Sequence, residues 1–308
     1  IYLWVILIAL ILKYPFYEFG PRYANATGFS LIKGYRDQGK WAVWIFLLVI
    51  FMSMFSVIAA IAALSAGMLS TIFQWQTDLQ LLTGLVIAVS SAFLLFGGYK
   101  ALDGLIKMIS VSLLVTVIGA FIAVVIKGPV EQVEGFQSTP ILEGSGLLLL
   151  IGLVGWMPAG MEASTMSSIW NVEKCNSSGY KPSLEETLFD FRLGYGFSLI
   201  LALIFLTIGA YTSYGSGAVL NGSANQFINK LLSLFTANLG DWSFYLIAFA
   251  SFGTIYGTLI AVMDAYPRCF VRGLRALVFE KPENNATQKN FIVIYNTYVV
   301  IITSKGSF

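Results

Sequence analysis

Long apolar runs separated by short polar clusters dominate the chain. Eight of them carry few enough charges and enough length to be read as membrane spans: 1–19, 41–68, 80–97, 105–126, 145–170, 188–212, 242–266 and 290–304. The third and eighth are the shortest. The pattern predicts an all-α polytopic membrane protein in which residues 1–308 form a single transmembrane domain. Between the first two runs, KYPFYEFGPRYANATG (Lys13 to Gly28) is rich in aromatic residues and holds Pro15 and Pro21, so it reads as an interfacial exit from the bilayer. Residues Ala224 to Leu239 read as a short amphipathic helix on the outer surface.

Composition sharpens this picture. The chain is 57% hydrophobic and 11% charged, against about 25% charged residues in soluble domains. A net charge of +2 gives no reason to expect a nucleic-acid partner. There is no histidine, which excludes histidine metal ligands and histidine proton relays. No nucleophile–base pair, phosphate loop or CxxC is present, so the chain is not expected to be an enzyme or to hold a cofactor.

Fifteen of the eighteen Lys and Arg residues fall in alternate connections. These are Lys13 to Lys40, Lys100 and Lys107, Lys174 to Arg192, and Arg268 to Lys289. The positive-inside rule makes that side cytoplasmic, which puts Cys175 and Cys269 on the reducing side as thiols. The first run must then enter from outside, yet the sequence opens within it. The expectation is a fragment of a longer transporter, truncated at both ends.

The fifth run, Gly144 to Trp170, does not read as one helix. Gly155, Pro158 and Gly160 sit at its middle, where proline removes a donor and glycine loosens the backbone. A break at that depth is tolerated only where the chain is buried or lines a wet cavity. Beside it stand Met157, a soft sulfur ligand, and carbonyls near Val154 that the break would free. The plainer alternative for Met157 is a gap-filling core side chain. Glu162 lies on the far half, either as a carboxylate on the N-terminal dipole of the second half-helix or as part of an ion path. Asp264 is the other ion-path candidate; its spacing to Arg268 equally suits an i,i+4 pair.

Four stretches, LKYPFYEFGPRYANATG, GWMPAGMEAS, LFDFRLGYGF and VMDAYPR, resemble the Nramp family of divalent metal-ion transporters, nearest to a bacterial branch whose broken helix reads GWMP. The resemblance implies a LeuT-like inverted-repeat bundle with its first and sixth helices broken, hence one helix before Ile1 that would carry further metal ligands. It carries a metal-ligand role onto Met157 and onto the Val154 carbonyl. Where that family has a histidine after Met-Pro this chain has Ala159, and its acidic pair falls on Ser53 and Ser56. Proton coupling is therefore not carried over.

The function expected is a secondary transporter importing a divalent transition-metal ion, Mn2+ or Fe2+, by alternating access in a bacterial inner membrane. Its partners would be the metal ion as substrate, protons if any coupling persists, and the lipid bilayer. Alternatives are a Mg2+ or amino-acid carrier of the same fold, and a membrane metal sensor or scaffold that does not transport.

Overall fold

The first apolar run folds as a helix that does not stop where its prolines suggest. The computed structural model describes residues 2–133, 142–215, 228–229, 232–233, 236, 240–241 and 243–278. Among these, every regular element is helical: α1 (Tyr2–Thr27), α2 (Leu31–Gln38), α3 (Lys40–Phe73), α4 (Leu79–Lys127), α5 (Gly144–Trp156), α6 (Ala163–Ser178), α7 (Leu184–Ser213) and α8 (Ser243–Val278). Among the described residues five helical stretches are long and apolar enough to cross a membrane: Leu3–Thr27, Lys40–Phe73, Lys107–Lys127, Leu184–Thr212 and Ile247–Val278. Leu79–Leu94 and Gly146–Trp156 are shorter apolar helices. The eighth predicted run, 290–304, lies outside the described residues.

Two expectations are corrected. The chain does not break at Pro15 and Pro21: residues 13–27 are the second half of α1, with both prolines inside the helix. Neither proline has an N–H to offer the carbonyl four residues back. The carbonyls this leaves are those of Ile11 and Tyr17. Neighbouring helices donate to the carbonyl next to each: the Tyr195 hydroxyl to that of Leu10 at 2.7 Å, and Ser164 Oγ to that of Phe16 at 2.7 Å. The third and fourth runs likewise form one helix, α4, of 49 residues, about 74 Å long at helical rise. The connection expected at Lys100 is thus helix. Its residues, GGYKALDG, contain glycine but no proline, so the hydrogen-bond ladder has no obligatory gap.

Contacts divide the chain into two compact units, Ile1–Leu31 with Val117–Val219 and Ile32–Thr116 with Leu220–Phe308. In the first, α1 packs on α5, α6 and α7. Its closest approach is at Gly20, where a Cβ would stand 2.2 Å from the Ser164 carbonyl oxygen. Asn25 at the end of α1 donates to the Pro182 carbonyl and to Thr187 Oγ1, both at 2.8 Å. Large apolar side chains such as Ile11 and Leu148 stand exposed on this unit at 70% and 73%, as lipid-facing positions would.

In the second unit α3 lies along α8. Met68, Ile72, Ile228, Leu232, Ile247 and Ala248 form a buried cluster there. The described residues of the predicted amphipathic stretch fit that reading: Ile228 and Leu232 are buried, while Asn229 and Ser233 are exposed. Arg36 of α2 donates through Nε to the Ala276 carbonyl at 2.7 Å, near the C-terminus of α8 where a cation is favoured.

α7 opens with a full capping box. Ser183 Oγ accepts from the Glu186 amide at 3.2 Å, and Glu186 Oε2 accepts from the Ser183 amide at 2.7 Å. Ser183→Ala should cost about 1 kcal/mol, read as a small fall in the thermal midpoint of the purified protein. A larger loss from Ser183→Gly than from Ser183→Ala would contradict the cap.

Candidate functional site

The break predicted in the fifth run is present, and its borders are set by its own residues. α5 ends at Trp156, with Met157 as its C-cap in an extended conformation (φ −90°, ψ 123°). The Met157–Pro158 peptide is cis. α6 starts at Ala163, with Glu162 at its N-cap. Of the residues expected to cause the break, Pro158 and Gly160 lie within it, whereas Gly155 remains in the last turn of α5. Glu162 makes no side-chain cap bond to α6. Its carboxylate instead folds over the break, its oxygens 2.5 and 2.6 Å from where a Cβ on Gly160 would sit. A Cβ at residue 160 would push this carboxylate aside, a small cost because it is the end of a flexible side chain.

The carbonyls around the break are met by α1. Lys13 Nζ donates to the Val154 carbonyl at 2.6 Å and to the Gly155 carbonyl at 2.9 Å. One turn further, the Tyr17 hydroxyl stands 2.5 Å from the Ala159 carbonyl and 2.8 Å from that of Gly160, sharing one proton between them. The Val154 carbonyl is therefore at the break, as expected, but it already accepts from an ammonium. Met157 is half-buried beside it. The Glu162 carboxylate acts electrostatically on both Lys13 and Tyr17. The site thus combines two carbonyls held by a cation, a thioether, two carbonyls held by a phenol, and a carboxylate.

A second polar group lies on α1 and α7. Glu18, only 8% exposed, accepts from the Tyr14 hydroxyl and from Arg22. Arg192 Nε stands 3.7 Å from Oε2, the oxygen that accepts from Tyr14. A buried carboxylate is favoured only where it is so surrounded. Tyr14, Glu18 and Arg22 recur every four residues, a spacing that the one-dimensional reading of this stretch as an interfacial exit passes over.

Asp264 belongs to the second unit. It is 2% exposed on α8, and both its oxygens accept from Arg268 Nε at 2.8 Å. The i,i+4 pair read from the sequence is present. Among the described residues no three His, Cys, Asp or Glu side chains gather as a metal site would need. The groups at the break that could meet a cation are the Met157 sulfur, backbone carbonyls and the Glu162 carboxylate. Neither cysteine is in a disulfide. Cys175 lines a cavity of about 260 Å3 beyond the far end of α6, bordered by Asn25, Asn171 and Thr187.

No family model matches the chain. Over 293 residues it is 34% identical to the uncharacterized protein PM0681 of Pasteurella multocida (strain Pm70), an alignment covering 94% of this chain and 67% of that protein. An identity of that level over nearly the whole chain makes the two proteins members of one family, and the chain belongs to the family of the Pasteurella protein PM0681.

Proposed function

We propose that the protein is a secondary transporter that carries a divalent transition-metal ion, Mn2+ or Fe2+, through the α5–α6 break. The observation that carries this reading is the break itself: the apolar α5 and the more polar α6 are separated over residues 157–162, with a thioether at the edge and backbone carbonyls turned to cationic and hydroxyl donors. Broken helices of this kind build mid-membrane ion sites in transporters, and rocking of one bundle against another moves the ion. A thioether favours soft and borderline metals over magnesium. The proposal includes a LeuT-like inverted-repeat fold, Nramp-like ancestry and residence in a bacterial inner membrane. Proton coupling is left out of it, because Ala159 stands where the resemblance expects a histidine.

The test is manganese entry into liposomes holding the protein, followed by an internal fluorophore. Met157→Ala should weaken Mn2+ affinity by about tenfold or more, as losses around a bound metal do, while excess Mg2+ leaves wild-type uptake unchanged. Uptake indifferent to Met157→Ala, or abolished by modest Mg2+, would remove the sulfur ligand and favour a magnesium carrier. Binding without flux would indicate a sensor.

One observation favours a second reading. The Lys13 ammonium at the end of α5 and the positive N-terminal pole of α6 also suit a carboxylate, as in amino-acid carriers of similar architecture. Flux of small amino acids in the same liposomes, without Mn2+ uptake, would establish it.

A further inference from the structure

We infer that the Lys13 ammonium is a tethered competitor of the transported cation: it fills the carbonyl end of the break when no cargo is bound and leaves when cargo enters. The inference rests on the cation-transport reading above.

The end of α5 carries the negative pole of its helix, and its last carbonyls lack intrahelical donors. Two adjacent oxygens there, from Val154 and Gly155, are the kind of ligands that cations take from protein backbones. They are held at 2.6 and 2.9 Å by one compact ammonium, a point charge with three donors. This ammonium is not a local cap. It comes from α1, 141 residues away from Val154 in sequence, and it projects from a helix that is otherwise apolar at this level. The other two carbonyls of the break are covered by the Tyr17 hydroxyl, which is uncharged. The charge of the resident group is therefore concentrated on the Val154–Gly155 pair.

A divalent ion using the Val154 carbonyl cannot share these two oxygens with an ammonium. Lys13 must move for cargo to bind, and the site offers it a second acceptor. The Glu162 carboxylate lies over Gly160 and attracts the ammonium. The competing charge lowers affinity for cargo and keeps the carbonyls satisfied in its absence. An unliganded break in lipid would otherwise leave bare carbonyls, which cost several-fold more in hydrocarbon than in water. The device also sets a threshold for selectivity, since a weakly binding cation does not displace a tethered one.

The test compares wild type with Lys13→Met and Lys13→Gln in the full chain, purified in detergent. Two quantities are read: Mn2+ affinity by calorimetry, and the thermal midpoint with and without methylammonium. Lys13→Met should bind Mn2+ about tenfold more tightly or better, because a competitor and a like charge are both removed. Methylammonium at several times its dissociation constant should raise the midpoint of Lys13→Met by about 2 °C and leave wild type unchanged. Wild type and Lys13→Met binding Mn2+ equally, or the variant binding more weakly, would overturn the inference and leave the metal reading standing. If neither binds Mn2+, the metal reading falls, and methylammonium decides the rest. Stabilisation of Lys13→Met then upholds a resident-cation site; its absence overturns it. Should Lys13→Met fail to fold, Lys13→Gln, which keeps two donors without the charge, is judged by the same outcomes.

Discussion

Replacing Gly20 with alanine is expected to detach α1 from α6 and to destabilise the first unit by more than about 3 kcal/mol, the upper part of the range for overpacked sites. The reason is geometric. A Cβ at residue 20 would stand 2.2 Å from the Ser164 carbonyl oxygen, 3.0 Å from its carbon and 2.9 Å from Oγ. The nearest of these is backbone, so no rotamer change relieves the contact. α6 would have to withdraw, stretching the Ser164 Oγ bond to the Phe16 carbonyl and the Leu31 amide bond to Ser168 Oγ, now 2.7 and 3.0 Å. It would also carry the break away from Lys13 and Tyr17. Small residues at helix contacts in membranes serve this close approach. The measurement is the thermal midpoint of Gly20→Ala in detergent, with Gly152→Ala as control, since nothing lies within 4 Å of a Cβ there. Ser164→Gly should rescue little, because the backbone oxygen remains. A Gly20→Ala midpoint equal to that of the control would refute the packing argument.

Asp264→Ala is expected to cost about 3–5 kcal/mol, the usual price of stranding one partner of a buried ion pair. Arg268 side-chain atoms are 12% exposed and those of Asp264 3% exposed, with Nη2 to Oδ1 at 2.7 Å as well as the two Nε contacts. Removing the carboxylate leaves a guanidinium charge in a low-dielectric setting. Arg268→Ala should be comparably harmful, for the mirror reason. The double change Asp264→Leu with Arg268→Met should be far milder than the sum, as well-packed apolar replacements of buried pairs usually are. This triple comparison, by thermal unfolding, also separates structure from transport. A stable double variant that still moves cargo assigns Asp264 to packing. A stable double variant that has lost transport assigns it to the ion path.

Some of this architecture was legible along the chain because its causes are local. Proline and glycine at 158 and 160 interrupt any helix through them, so the break follows from backbone chemistry alone, and the structure moved only Gly155 back into α5. The Asp264–Arg268 pair follows from a four-residue spacing within one helix. The apolar runs announced themselves by length.

What the sequence could not decide depended on atoms far away in the chain. Pro15 and Pro21 promise a broken α1, but the helix continues through both, packed on α5, α6 and α7. Lys13 reads along the chain as a cytoplasmic loop charge; only the packing of α1 on α5 and α6 makes it the partner of the Val154 and Gly155 carbonyls. The sequence by itself determined where the backbone must leave unsatisfied groups, since that is set by the residue carrying or lacking an N–H. Tertiary structure alone decided which groups would satisfy them, because a donor 141 residues distant is chosen by helix packing and leaves no periodic trace.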